Sequence, residues 1–127
     1  MDPAAQHLDL VTFTDAHPGG HLVAGLLPDE VSGAELSALR RHIRRLIESL
    51  NVRGTYATGL VRTAETTEIH CLFEKAEDAG QLAAWVNAQP ARDGAGERRF
   101  VIDEAMRDAL REAATGGGNR ASRKKRA

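Results

Sequence analysis

The stretch "TEIHCLFE", starting at Thr67, sets His70 beside Cys71, the chain's one cysteine. An imidazole next to a thiol is the pairing from which a nucleophile is built. The run is short, apolar and partly β-branched, which reads as a strand, and adjacent side chains in a strand leave opposite faces. His70 and Cys71 therefore cannot act on one ion or one reacting atom. Cys71 shares its face with Ile69 and Phe73 and reads as a small core residue. A reactive thiol would need a base or a helix N-terminus nearby, and only folding could bring His7 or His42 to it.

The segment "DAHPGGH" offers metal chemistry instead. Asp15, His17 and His21 are nitrogen and oxygen donors of the kind zinc accepts. Pro18, Gly19 and Gly20 make the segment a turn, and a zinc site also needs a fourth group and supporting hydrogen bonds. These three residues are weak metal candidates, and the expectation is no metal and no cofactor. Glu65, Glu68 and Glu74 surround a hairpin without a spacing that sets two carboxylates at catalytic separation. No glycine-rich loop ends in the Lys-Ser/Thr of a phosphate cradle. An enzyme using His17, His21, His42 or His70 is accordingly the least favoured reading.

Positive charge is the other resource. Arg40, Arg41, Arg44 and Arg45 form a band that flanks an apolar helical stripe, and Glu48 lies in the same band, one turn after Arg44 and Arg45. At the C-terminus, Arg120, Arg123, Lys124, Lys125 and Arg126 follow one another without an acidic residue. The chain holds 17 Lys and Arg against 18 Asp and Glu. Without the tail's five, 12 basic groups face 18 acidic ones, so the body is acidic and the tail basic. Clustered cations gain affinity for polyanions by releasing counterions, which makes nucleic acid or an acidic protein a possible partner for the tail and the arginine band. Stacking on single strands needs interleaved aromatics, and the tail has none.

The elements that must position these residues follow from periodicity. "LDLVTFT" from Leu8 and "HLVAGLL" from His21 read as strands around the "DAHPGG" turn. Ser32 and Glu35 form a capping box that opens a helix from about Gly33 to Leu50, with Leu36, Leu39, Ile43, Leu46, Ile47 and Leu50 on one stripe. "GTYATGLVRT" from Gly54 and "TEIHCLFE" form a hairpin. A second helix fits Lys75 to Ala88, with Ala79, Leu82, Ala83 and Val86 inward and Trp85 off the stripe. "RRFVID" from Arg98 is a last strand, and Asp103 caps a third helix containing Met106, Ala109, Leu110 and Ala113.

This order predicts an α+β, ferredoxin-like domain: an antiparallel β-sheet with helices packed on one face, an extra N-terminal strand and a C-terminal helix. A chain of 127 residues that is 42% apolar can bury one core, so residues 1–113 are expected to form a single domain. Residues 114–127 read as a glycine-rich linker and basic tail. Leu72 interrupts the polar side of its strand, which indicates that the second sheet face is partly covered. Leu72 and Trp85 are the expected interface residues. The lone cysteine, the lack of a secretory leader and the lack of a long apolar run point to the cytoplasm and away from membranes, and the Ala, Arg and Gly content suits a bacterial genome. The favoured function is a non-catalytic association module acting as a homodimer. The alternative is a nucleic-acid-associated protein.

Overall fold

The computed structural model describes residues 6–28, 30–63, 66–90 and 97–115. In chain order the elements are β1 (Gln6–Leu8), α1 (Leu10–Ala16), β2 (His21–Leu27), α2 (Gly33–Ser49), β3 (Thr55–Arg62), β4 (Thr67–Phe73), α3 (Ala76–Val86), β5 (Gln89–Pro90), β6 (Arg98–Val101) and α4 (Glu104–Thr115). The strands form one sheet in the order β1-β3-β4-β2-β6-β5.

The class is α+β, with a mixed sheet and four helices among the described residues. β4 runs antiparallel to both β2 and β3, as expected of the hairpin and the split β-α-β unit. Two pairings depart from the expected antiparallel sheet. β6 runs parallel to β2, and β1 runs parallel to β3. The first follows from β5, a two-residue strand after α3 that pairs antiparallel with β6 on the sheet's edge. The chain thus turns back once more before β6, which reverses its direction against β2. The result is a mixed sheet, not a simple ferredoxin fold.

The second correction concerns the N-terminus. "LDLVTFT" does not continue as a strand, because β1 ends at Leu8 and α1 begins at Leu10. Asp9 is the reason at the local level, since its Oδ1 accepts the Thr12 N–H at 2.7 Å and caps the helix. Tertiary packing then overrides the β propensity of Val11, Thr12 and Thr14. Leu10 lies so close over β3 that a Cβ at Gly59 would collide with it, and Phe13 is fully buried. The expected pairing of the first two strands around "DAHPGG" is absent. β1 pairs with β3 instead.

Of the expected stripe of α2, Leu36, Leu39, Ile43, Leu46 and Ile47 are buried, while Leu50 follows the helix as its C-cap and is half-buried against the core. Its N-cap is half of the expected box. The Ser32 hydroxyl accepts the Glu35 N–H at 3.1 Å, while the Glu35 carboxylate turns to Arg107 Nε of α4 at 3.4 Å. α3 closes at Asn87, whose φ of 59° is the left-handed conformation common after a helix. The Asp103 carboxylate accepts the Met106 N–H at 2.9 Å at the start of α4. α4 runs through Ala114 and Thr115, where the linker was expected to begin, and residues 116–127, which carry the basic tail, lie outside the described residues.

One face of the sheet carries the core. Val23, Leu27, Ile69, Cys71, Phe73 and Tyr56 cluster there with the inward stripes of α2 and α3 and with Leu110 of α4. α4 packs against α2, and Phe100 of β6 with Ile102 just after it lies over β2 so closely that a Cβ at Gly25 would lie 2.6 Å from Ile102 Cδ1. Asp78 secures the α2-to-β3 connection. This carboxylate is 1% exposed and accepts the N–H groups of Arg53 and Gly54, the latter at 2.8 Å. No described helix is long and apolar enough to cross a membrane.

Candidate functional site

Among the described residues, two of the places where polar side chains from separate elements meet bear on function. The first lies on the second sheet face, opposite the main core. Register places Glu68 beside Leu26 and Val61, His70 beside Ala24 and Gly59, and Leu72 beside Leu22 and Ala57. β6 adds Arg99 next to Ala24 and Val101 next to Leu26. α1, only seven residues long, lies over this face, with Leu10 against Gly59 in mid-strand and Phe13 against Gly20. Leu22, Leu26, Val61 and Leu72 are left half-buried, and Val101 is 53% exposed.

A charged chain runs through these apolar side chains. His70 Nε2 lies 2.8 Å from Glu68 Oε1, Arg99 Nη1 reaches the same oxygen at 3.5 Å, and Arg99 Nη2 donates to Glu97 Oε1 at 3.1 Å. Burial raises the Glu68 carboxyl, but the His70 hydrogen bond and the Arg99 charge outweigh it and hold the group below its usual range. Glu68 is therefore ionised at neutral pH and can only accept, so His70 Nε2–H is the donor. His70 is tied into this network while Cys71 points into the core, as strand geometry requires. Burial pushes the Cys71 thiol up to about 12, which leaves it protonated and inert as a nucleophile.

The second place is a cavity of about 250 Å³ between α2 and the β1 side of the sheet. Ser37, Arg40, Arg41 and Arg44 line it from α2, at positions one turn apart. His7 of β1 and Thr58 of β3 form the opposite wall, and the half-exposed Leu60 closes one side. Thr58 is the hub: Arg40 Nη2 donates to its carbonyl at 3.0 Å and Arg40 Nε to its hydroxyl at 3.4 Å, while His7 Nε2 lies 3.0 Å from that hydroxyl. β1 pairs with β3 only as far as Ala57, so this wall begins where the edge strand stops.

The electrostatics of the cleft are one-sided. Among the described residues no acidic side chain lines it, and Glu48, one turn beyond Arg44, is paired with that arginine at 3.4 Å. Burial, followed by the charges of Arg44 and Arg40, holds His7 below the usual histidine value of 6.5, with Glu48 and Asp9 opposing. The His7 ring also rests against Tyr56 at a centroid distance of 5.1 Å. Burial lifts the Tyr56 phenol, whose hydroxyl neighbours are Arg44 and Glu48.

The residues singled out from sequence are divided by the fold. Arg40, Arg41 and Arg44 share the cleft, whereas Arg45 is exposed outside its lining. Arg120, Arg123, Lys124, Lys125 and Arg126 lie outside the described residues. Leu72 is on the second sheet face. Trp85, 38% exposed, stands on α3 across the sheet, so the two do not form one patch. Asp15, His17 and His21 are not brought together, and among the described residues no group of three or more His, Cys, Asp or Glu is placed to hold a metal ion. His17 instead packs on Phe13 at the end of α1. His42 faces Arg41, Arg45 and Arg111, with burial as the larger influence lowering its pKa.

Ser37 and Thr58 were not foreseen, and His7 was weighed only as a base for Cys71. Only Ser37 left a trace in sequence, at three, four and seven residues before the three arginines. No family model, no curated protein and no solved structure matches the chain.

Proposed function

We propose that this chain works by association, as a homodimer joined through the second face of its sheet. The observation that carries this reading is the unequal cover of the two faces. α2, α3 and α4 bury one face, while the other is covered only by the seven residues of α1, through Leu10 at Gly59 and Phe13 at Gly20. Beyond Gly59 on this face lie Leu26, Val61 and Val101, next to the Glu68–Arg99 ion pair, and Leu22 and Leu72 are half-buried toward Gly20, where Phe13 packs.

An isologous interface needs a patch complementary to itself. This patch carries both signs, with Glu68 and Arg99 side by side, so a second copy turned about a two-fold axis can set carboxylate against guanidinium. Trp85 has no part in it.

Val101→Lys tests the proposal, because it alters an exposed side chain without opening the core. The expected result is a monomer with unchanged circular dichroism, and a dimer retained in Trp85→Ala. A dimer that survives Val101→Lys together with Val61→Lys would place the contact elsewhere.

A further inference from the structure

We propose that the cleft formed by His7, Ser37, Arg40, Arg41, Arg44 and Thr58 binds a phosphoryl group, carried by a small organic phosphate whose apolar part rests on Leu60. Three arginines line one hollow from a single helix face, and one of them, Arg44, is shared with Glu48 at 3.4 Å. Another is already fixed. Two hydrogen bonds from Arg40 to Thr58 leave Nη1 and one Nη2 proton free, so little side-chain entropy remains to be lost when an anion arrives. Arg41 has no ion pair among the described residues, and Ser37 adds a hydroxyl on the same side. Arginine's planar fork suits the oxygens of a phosphoryl group, which accept several charge-assisted hydrogen bonds at once.

Size favours a small ligand over a polymer groove. A volume of about 250 Å³ falls just below the usual small-molecule range of roughly 300–1,000 Å³, which suits a ligand little larger than a phosphoryl group. The apolar Leu60 at the side of the cavity gives an organic group a surface that a bare ion would not use.

His7 adds a proton-linked element. It is faced by Arg40, Arg44 and Glu48 of α2, by Tyr56 and Thr58 of β3, and by Asp9 beyond its own strand. An anion that offsets the arginines removes part of what keeps the ring neutral, so anion binding and protonation of His7 favour each other.

Titration calorimetry of the full chain at low ionic strength tests the site, with inorganic phosphate, sulfate and phenyl phosphate as probes. Phosphate is expected to bind, with affinity reduced about tenfold or more in Arg41→Ala and in Arg40→Gln and changed less than about twofold in Arg45→Ala. Arg41 is exposed, so that variant remains informative even where Arg40→Gln disturbs the fold. Sulfate keeps its charge across the range and should bind more tightly at pH 6 than at pH 8, with the difference reduced in His7→Gln. Tighter binding of phenyl phosphate assigns the occupant to an organic phosphate, and equal binding overturns the role given to Leu60. Absence of phosphate binding at millimolar concentration, or equal losses in Arg45→Ala and Arg41→Ala, would overturn the site. A monomeric chain that binds phosphate would leave this inference intact, because it does not rest on the dimer.

Discussion

Replacing Asp78 with alanine probes how the sheet and α3 are locked together. The carboxylate is 1% exposed and serves two backbone donors that no strand ladder reaches. Arg53 N–H lies 3.1 and 3.2 Å from its two oxygens, and Gly54 N–H lies 2.8 Å from Oδ2. Truncation orphans both donors at the entry to β3. Each buried, unsatisfied group costs about 1–3 kcal/mol, and an anion in the first turn of α3 contributes roughly another 0.3–1 kcal/mol through the helix dipole. Asn51, Arg53, Lys75, Glu77 and Gln81 line a hollow beside the carboxylate, so water can reach the site and satisfy part of the loss. The expected destabilisation is about 3 kcal/mol. Asp78→Asn keeps an acceptor and should cost about half as much, whereas Glu77→Ala, in the same turn but exposed, should cost under about 0.5 kcal/mol. Urea unfolding followed by circular dichroism measures these differences. With a slope of about 1.5 kcal/mol per molar, Asp78→Ala should lower the midpoint by roughly 2 M without changing the slope. A shift no larger than that of Glu77→Ala would refute the argument that this carboxylate holds the connection.

Two further outcomes follow from titratable groups. His7 and His42 are both held below 6.5, so the folded chain binds fewer protons than the unfolded chain as pH falls past that value; stability is full above about 6.5 and declines as pH drops through the two folded pKa values. Thermal melts between pH 8 and pH 5 should show this decline, with a smaller decline in the double variant His7→Gln, His42→Gln; a flat profile would contradict it. Cys71, buried with its pKa pushed up to about 12, should react with a thiol reagent at pH 8 only at the rate of unfolding, and the reaction should accelerate in parallel with urea. Rapid labelling of the native chain would contradict the core position.

Much of the fold was legible because it rests on local periodicity. The stripe of α2, the hairpin of β3 and β4, the caps Ser32 and Asp103 and the inward Cys71 are all set by residues close in sequence. The errors fall where distant residues decide. Nothing in "LDLVTFT" announces that Gly59, far along the chain, leaves room for Leu10, yet that space is what lets α1 lie across β3. β5 is two residues long, too short for any periodic signal, and it sets the direction of β6. The cleft was half legible. The spacing of Arg40, Arg41 and Arg44 revealed a basic band, but its partners His7 and Thr58 reach it through the parallel pairing of β1 with β3, a long-range contact without a local signature. The opposition of Leu72 and Trp85 across the sheet was hidden for the same reason, since it depends on which face α3 covers.

The central claim is that the uncovered sheet face is where this protein makes its contact. Light scattering coupled to size-exclusion chromatography at micromolar concentration measures it most directly. The account predicts a particle of twice the 13.7 kDa of one chain, falling to a single chain in Val101→Lys. A wild-type particle that weighs one chain at every concentration up to the limit of solubility would contradict it.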